Sequence, residues 1–261
     1  MVTNGNISFE EMKDKIFCED CLVGMQRIPD GSVDAIICDL PYGTTECAWD
    51  SVIPFELLWE QYKRICKPNA AIVLFGQEPF SSALRMSNIE MWRYDWYWKK
   101  SRFGNYAQAP YMPIKNIETI SVFSQGTIAP NSKLKMSYHP QGVKEYNKKY
   151  KDKPCSKNFR PNRKPQTFVS THCNYPKQCI EFNNDTNCFH PTQKPVDLLR
   201  YLVLTYTNEG DTVLDNCMGS GTTAIACIKE KRHFIGFELN KEYYDEACKR
   251  IDNEKRTLTL F

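Results

Sequence analysis

One segment near the end of this chain restricts its fold more than any other. It reads Thr-Val-Leu-Asp-Asn-Cys-Met-Gly-Ser-Gly-Thr-Thr and starts at Thr212. Its apolar start predicts a buried strand, Thr212–Asp215, and the residues from Gly221 to Lys231 predict a helix. A second predicted strand, His233–Leu239, follows. A strand, a glycine turn, a helix and a second strand form the βαβ unit with which α/β proteins bind nucleotides.

The polar residues of this unit favour a cationic ligand over a phosphate. Ala224 stands where the dinucleotide fingerprint has its third glycine, and no lysine follows the glycines as in a P-loop. Asp215 would repel a pyrophosphate and attract an ammonium group, and Glu238 can accept both hydroxyls of a ribose. S-adenosyl-L-methionine carries an ammonium, a sulfonium and a ribose, so we expect this cofactor. The plainer alternative is that Asp215 only caps the following helix.

Most of the remaining chain alternates short apolar runs with amphipathic stretches, which predicts a Rossmann-like α/β fold with a mostly parallel sheet and flanking helices. Asn240 is the expected N-cap of the last helix. The other predicted strands are Ile16–Glu19, Val33–Asp39, Ala71–Gly76, Tyr94–Lys99 and Glu118–Ser124, and the other predicted helices are Pro54–Cys66, Val196–Asn208 and Lys241–Asp252.

A basic segment, 127–187, interrupts this pattern and divides the α/β sequence into halves, 1–126 and 188–261. Between Asn131 and Ile180 there are twelve Lys and Arg against two acids, a net charge of +10 in a chain whose total is +3. So local an excess predicts contact with a polyanion. A solvated basic loop is the alternative.

A second chemical motif follows the predicted strand from Val33, where the chain reads Asp39-Leu40-Pro41-Tyr42. Open α/β sheets bind ligands beyond the carboxyl ends of their strands, so Asp39 and Asp215 face one crevice if their strands are neighbours. An aromatic amine is a poor nucleophile because its lone pair is delocalised. Hydrogen bonds from the amine to Asp39 and to a carbonyl near Pro41 would favour a pyramidal nitrogen placed for attack on the sulfonium methyl, and Tyr42 would stack on the base.

Three motifs of this chain, at residues 39–42, 190–195 and 215–221, resemble in sequence and in chain order those of the bacterial and phage β-class DNA amino-methyltransferases. Asp39–Tyr42 resembles their D-P-P-Y catalytic motif, Asp215–Gly221 their first cofactor motif, and the His190–Pro195 sequence their H-P-T-Q-K-P segment. Leu40 departs from the family pattern by replacing the first proline. Cys217 departs from it by replacing a phenylalanine that packs against the cofactor.

The resemblance implies site-specific methylation of an exocyclic amino group in double-stranded DNA, and the aspartate that opens the tetrad favours adenine. Methylation of cytosine N4, an RNA substrate and a non-catalytic DNA-binding protein on this fold remain alternatives. The implied catalytic residues are Asp39, Pro41 and Tyr42. The implied cofactor-binding residues are Asp20, Cys21, Asp39, Thr192, Lys194, Asp215, Cys217, Gly219, Gly221, Thr222, Glu238 and Leu239, with Thr192 and Lys194 at the methionine end.

The basic segment is the expected target-recognition region, because lysines and arginines neutralise phosphates while aromatic side chains meet bases. Its expected DNA-binding residues are Lys133, Lys135, Lys148, Lys149, Arg160, Arg163 and Lys164. By the same resemblance we expect a homodimer, and a cognate restriction enzyme is a further candidate partner.

The cysteines and the apolar residues predict neither a metal site nor a membrane protein. Cys18-Glu-Asp-Cys21 has no second CxxC, and the other cysteines have irregular spacing, so we expect reduced thiols and no metal. No secretory signal or membrane span is visible, which predicts a cytoplasmic location.

Overall fold

The structure is a computed structural model that describes residues 7–43, 51–102, 104–151, 167–185 and 193–259. The chain divides into two compact units. The first contains residues 1–139 and 178–261, and the second contains residues 140–177.

The first unit is built on one sheet of eight strands among the residues described. In chain order these strands are β1 Lys15–Cys18, β2 Val33–Cys38, β3 Cys66–Gly76, β4 Trp92–Lys100, β5 Ile117–Phe123, β8 Cys179–Phe182, β9 Thr212–Asp215 and β10 His233–Glu238. Its helices are α1 Phe9–Met12, α2 Cys21–Met25, α3 Phe55–Ile65, α4 Phe80–Ser87, α5 Val196–Tyr206, α6 Thr222–Lys229 and α7 Lys241–Thr259. The second unit is a two-stranded antiparallel ribbon of β6 Lys144–Lys151 and β7 Thr167–Cys173.

The strand order is β1-β10-β9-β2-β3-β5-β4-β8, and every neighbouring pair is parallel except the two that β5 makes. This confirms the mostly parallel α/β sheet expected from the sequence. Because β5 is antiparallel to β3 and to β4, its first residues lie at the sheet edge where β3 and β4 end.

Helices cover both faces of the sheet, and β2 shows why its sequence is almost entirely apolar. Ala35 and Ile37 belong to one core cluster, together with residues of α5, α6 and α7. Ile36 and Cys38 belong to a second cluster, together with residues of α2, α3 and α4. A strand that is buried on both faces needs apolar residues at successive positions rather than at alternate ones.

The sheet reverses its winding between β2 and β9, which are parallel neighbours with Ala35 opposite Val213 and Ile36 opposite Leu214. After β9 the chain passes through α6 to β10, which lies next to β9 on the side away from β2. After β2 it passes through α3 to β3, which lies next to β2 on the side away from β9. Such a switch point opens a crevice at the carboxyl ends of the strands. The crevice therefore lies beside Asp39, which follows β2, and Asp215, which ends β9.

Several boundaries differ from those expected from the sequence. The second unit is shorter than the predicted basic segment, 127–187, because the flanks of that segment join the sheet unit. Strand β8 pairs with β4, and Ser137 and His139 donate backbone hydrogen bonds to Asn69 (2.9 Å) and Thr205 (2.7 Å). Short helices α1, α2 and α4 were not predicted, and α7 extends beyond Asp252. Asn240 caps α7 as expected, since its side chain accepts from the backbone N–H of Glu242 (2.9 Å) and Tyr243 (3.1 Å).

Candidate active site

A cavity of about 630 Å³ lies at the carboxyl edge of the strands, where β2 and β9 are adjacent. Its volume falls in the range of small-molecule sites. Most residues that the sequence predicted for the site line it, namely Asp20, Cys21, Asp39, Pro41, Tyr42, Lys194, Asp215, Cys217, Gly219, Thr222, Glu238 and Leu239. Thr192 lies outside the described residues. The structure therefore brings the two predicted motifs into one cavity.

The Asp39 carboxylate lies in a hydrogen-bonded cluster of two acids and two lysines. Its Oδ1 accepts from the Tyr42 hydroxyl (2.6 Å), and its Oδ2 accepts from Lys194 Nζ. Glu118, at the start of β5, shares the proton of the same tyrosine hydroxyl in a longer, bifurcated contact (3.1 Å) and pairs with Lys194 Nζ (3.1 Å) through Oε1. Its Oε2 pairs with Lys100. Tyr42 is thus fixed between two carboxylates, and its ring packs on Phe80 with centroids 5.1 Å apart.

Burial and neighbouring charges shift the pKa of each acid in this cluster. Burial raises the pKa of Asp39; Lys194 opposes that rise, and the negative charge of Glu118 adds to it. Burial also acts to raise the pKa of Glu118, but Lys194 and Lys100 outweigh it and leave the pKa of that carboxyl below its ordinary value. The pKa of Lys194 is raised against the opposing effect of its burial, because Asp39 and Glu118 stabilise its ammonium. The cluster is charged and internally balanced.

Asp215 is 4% exposed and accepts a hydrogen bond at Oδ1 from the backbone N–H of Cys217 (3.1 Å). Burial raises its pKa to about 6, against hydrogen bonds from Thr223 and Cys217 that lower it. It is not the cap of α6, because Gly221 occupies the N-cap position. No cation of the described residues pairs with this buried carboxylate, so a ligand ammonium would be strongly favoured there.

The glycine turn between β9 and α6 brings backbone N–H groups to Glu238. The carboxylate of Glu238 accepts from the N–H of Gly219 (2.8 Å) and of Asn240 (2.8 Å). Gly221 does not line the cavity; it has a φ of 75°, and an added Cβ would lie 3.3 Å from the Cβ of Ala247 on α7. Gly221 therefore serves the turn and its packing, whereas Gly219 orients an acid of the cavity.

Three other predicted cofactor residues also have structural partners. Asp20 is the N-cap of α2, and its Oδ1 accepts from the N–H of Leu22 (2.7 Å) and Val23 (3.3 Å). The thiols of Cys21 and Cys217 lie 3.6 Å and 3.5 Å from Nδ2 of the buried Asn216. The phenylalanine of the family pattern is thus replaced by a thiol that belongs to a polar contact at the cavity wall.

The charge of the cavity wall fits a cationic cofactor. Among its described lining residues are six acids, Glu19, Asp20, Asp39, Glu118, Asp215 and Glu238, but only two lysines, Lys100 and Lys194, which both pair with Glu118. Oε1 of Gln193, also in the wall, is buried and accepts no hydrogen bond from the described residues. Excess carboxylates and an unused acceptor suit a ligand with an ammonium and ribose hydroxyls, and they disfavour a phosphate.

Sequence reasoning missed Glu118 and Lys100 as parts of the site. Both lie where β4 ends and β5 begins, and the antiparallel pairing of these strands places them beside Asp39. The available signal was an acid, Glu118, at the start of an otherwise uncharged strand; its side chain is 2% exposed in the structure. Buried acids without a paired cation are rare, so such a residue indicates a buried ion pair.

The structure places the predicted DNA-binding residues in both units. Lys148 and Lys149 lie on the exposed β6 of the second unit, where Tyr146, Tyr150 and Phe168 form a stacked row with centroid spacings of 6.3 Å and 5.8 Å. Lys133 and Lys135 are exposed residues of the first unit. Arg160, Arg163 and Lys164 lie outside the described residues. Exposed lysines beside stacked rings form a surface suited to nucleic acid.

Residues 33–249 match the family model described as DNA methylase. The chain belongs to the DNA methylase family. Its membership confirms the resemblance drawn from the three motifs and the expected reaction, methylation of an amino group in DNA with S-adenosylmethionine as donor. No helix in the described part of this DNA methylase has the length and apolarity needed to span a membrane.

Curated relatives and solved structures agree with this assignment. The type II methyltransferase M.HpaI of Haemophilus parainfluenzae is 27% identical over 258 residues, which cover 93% of this chain and 76% of the relative. The DNA adenine methyltransferase YhdJ of Escherichia coli is 28% identical over 257 residues, with 89% and 81% covered. The crystal structure of the M1.HpyAVI–SAM complex shares the fold, with a TM-score of 0.59, 24% identity and coverage of 90% and 98%.

Neutralising Glu118 should lower turnover and move its pH profile. In Glu118→Gln the like charge that raises the pKa of Asp39 is lost, so Asp39 ionises at lower pH. The acidic limb of kcat should therefore move down by about 1 pH unit. The plateau of kcat should fall about tenfold because Tyr42 and Lys194 lose a charged partner. The measurement is kcat for methyl transfer to DNA between pH 5 and 8.

The matched control is Glu181→Gln, which removes an exposed acid paired with Lys99 on the neighbouring strands. This variant should leave unchanged both the plateau of kcat and the acidic limb of its pH profile. A reduced plateau of Glu118→Gln with an unmoved acidic limb would show that Glu118 only supports the fold.

Cofactor affinity should fall as the pH falls through the pKa of Asp215, which is about 6. An ammonium pairs only with the ionised acid, so the Kd for S-adenosylmethionine should rise about tenfold per pH unit below that value. Calorimetry between pH 5 and 7 measures this dependence. In Asp215→Asn the affinity should be weak throughout and much less dependent on pH. An unchanged wild-type Kd at pH 5 and pH 7 would contradict the assignment.

Proposed function

We propose that this DNA methylase transfers a methyl group from S-adenosylmethionine to the N6 amino group of adenine at a specific site in double-stranded DNA. The observation that carries the proposal is the position of Asp39. Its carboxylate lies at the end of β2, in the same cavity as the buried Asp215 at the end of the adjacent β9. One aspartate can orient an amine while the other holds the donor.

The Asp39 carboxylate retains the capacity to accept hydrogen bonds from a target amine. A carboxylate offers about four lone-pair sites, and the described contacts use one on each oxygen, from Tyr42 and Lys194. An amine that donates to Asp39 and to a backbone carbonyl near Pro41 has its lone pair directed away from both acceptors. This orientation makes the nitrogen a better nucleophile toward a methyl group in line with it. Tyr42, fixed by its hydroxyl, would set the plane of the base.

S-adenosylmethionine supplies an electrophilic methyl group on a sulfonium. Asp215 is placed to pair with the ammonium of the methionine moiety, and Glu238 is placed to accept ribose hydroxyls with its remaining lone pairs. The side chain of Asp20 caps α2 at one wall of the same cavity, where we assign the adenine of the cofactor. Gln193 offers its unused Oε1 to the methionine end.

Adenine is the proposed base because an aspartate opens the tetrad, as the resemblance to the adenine-specific members implies. The relative YhdJ, whose name gives adenine as its target, supports this choice. Cytosine N4 presents the same kind of aromatic amine, and the same cluster would orient it. The identity of the methylated base separates these two substrates.

A duplex substrate requires that the target base be extruded, because its amino group is otherwise paired inside the helix. The lysines and stacked rings of the second unit are a proposed target-recognition surface, and Lys133, Lys135, Arg160, Arg163 and Lys164 remain proposed DNA-binding residues. Phosphate contacts position the protein, while base contacts select the site.

We further propose a homodimer and a cognate restriction enzyme that cleaves the same unmethylated site. The dimer follows from the family resemblance, and light scattering that shows only monomer at micromolar concentration would contradict it. The restriction enzyme is suggested by the type II name of M.HpaI. Digestion resistance of DNA treated with this methylase would identify the enzyme. As a DNA-modifying enzyme the protein would act in the cytoplasm.

The wild-type protein should transfer labelled methyl from S-adenosylmethionine to unmethylated bacterial DNA. After digestion to nucleosides, mass spectrometry should detect N6-methyldeoxyadenosine. Detection of N4-methyldeoxycytidine alone would overturn the choice of base and leave the reaction intact. Label in RNA but not in DNA, or cofactor binding without transfer to either, would overturn the proposed function.

A further inference from the structure

The loop that joins β4 to β5 presents apolar side chains to solvent. Residues 105–113, called here the 105–113 tip, read Asn-Tyr-Ala-Gln-Ala-Pro-Tyr-Met-Pro and carry no charged side chain. Tyr111 is 89% exposed, Tyr106 63% and Met112 39%. Exposed apolar clusters of this kind mark interaction sites, because burying them would stabilise a complex.

The 105–113 tip is folded rather than extended. Asn105 adopts a left-handed conformation, with a φ of 58°, and its Oδ1 accepts from the backbone N–H of Lys115 (2.9 Å). A 3₁₀ turn follows at 106–108, and the carbonyl of Gln108 accepts from the N–H of Tyr111 (2.8 Å) and Met112 (3.0 Å). The backbone at Tyr111 is therefore held by a turn that closes on itself and exposes its ring, so little backbone entropy is lost when the tip binds.

The base of the loop is fixed at the rim of the catalytic cavity. Lys100 donates its backbone N–H to Asn116 (2.9 Å), and Ser101 accepts from the N–H of Asn184 (3.0 Å). Lys100 and Glu118, on either side of the loop, line the cavity and form part of the Asp39 cluster. A nucleotide whose amino group reaches Asp39 would therefore lie in the cavity that Lys100 and Glu118 line, at the base of this loop.

We propose that the 105–113 tip enters the DNA duplex at the target base pair and that Tyr111 fills the space left by the extruded base. This inference rests on the proposed function. Arg102 and Lys115 flank the tip and are both exposed, so an apolar tip stands between two cations. That arrangement complements a duplex, in which stacked bases lie between two phosphate backbones.

Extrusion of the target base leaves an unstacked gap in the duplex, and this gap costs free energy. Extruding a base removes its stacking on both neighbours, and an aromatic side chain that replaces it restores part of that stacking. A ring on a turn whose backbone is already ordered does so at a lower entropic cost than a ring on an extended loop. The contribution should be large only when the target base has to be taken out of an intact pair.

The test compares Tyr111→Ala with wild type on a duplex that carries the sequence methylated by the wild-type protein, found by sequencing the methylated bases. Single-turnover methyl transfer to the paired duplex should slow about tenfold or more, the size expected for a lost stacking contact. On a duplex with an abasic site opposite the target, the defect should shrink to within about threefold, because extrusion is then cheap. Tyr111→Phe should resemble wild type.

Met86→Ala is the control, because Met86 is also an exposed apolar residue (71%) but lies far from the cavity. It is on α4, which ends near the start of β4, at the sheet edge opposite the cavity. Equal rates for Tyr111→Ala and Met86→Ala on the paired duplex would overturn the proposal, as would equal defects on both duplexes. Conversion of a wild-type dimer to monomers by Tyr111→Ala would overturn it too, by assigning the tip to a second copy of the chain. If the wild-type protein methylates no DNA, the proposed function itself fails.

Discussion

The parallel pairing of β2 with β9 is the interaction on which the site depends. Its two register pairs join strands that are separated by about 180 residues in sequence, and both strands are apolar and buried. Because parallel strands end at the same edge, the pairing brings Asp39 and Asp215 to one crevice. A slip in this register would separate the donor site from the catalytic cluster while leaving each motif locally intact.

Charge then gives the crevice its chemistry. Burying acids costs free energy unless cations or donors accompany them. The cluster around Asp39 meets that cost with Lys194 and Lys100, whereas Asp215 accepts from backbone and hydroxyl donors and pairs with no lysine of the described residues. One acid is thus held in a balanced network suited to orient a neutral amine. The other keeps an unmatched negative charge that a ligand cation would balance.

The sequence predicted the parts of this site that short-range patterns encode. The strand and turn around Asp215, the tetrad after β2 and the cap at Asn240 are local, and the switch-point rule correctly brought Asp39 beside Asp215. Glu118 was missed because its role depends on antiparallel pairing of β5 with β3 and β4. The position of Lys194 at the methionine end of the cofactor stays a prediction; the contacts of its ammonium with Asp39 and Glu118 were not predicted, because they join residues far apart in sequence. The basic segment predicted from the sequence, 127–187, extends beyond the second compact unit, 140–177, because its flanks contact the main sheet and β8 pairs with β4.

The central claim is that Asp39 acts on the target amine and Asp215 on the cofactor. The most direct test is to measure S-adenosylmethionine binding by calorimetry together with the rate of methyl transfer. Asp39→Ala should abolish methyl transfer to DNA while it changes the cofactor Kd by less than about threefold, because we assign the Asp39 cluster to the target amine and not to the cofactor. Asp215→Ala should weaken cofactor binding by about tenfold or more, the value of one lost charged partner. The reverse pattern, with cofactor binding lost in Asp39→Ala and retained in Asp215→Ala, would contradict the account.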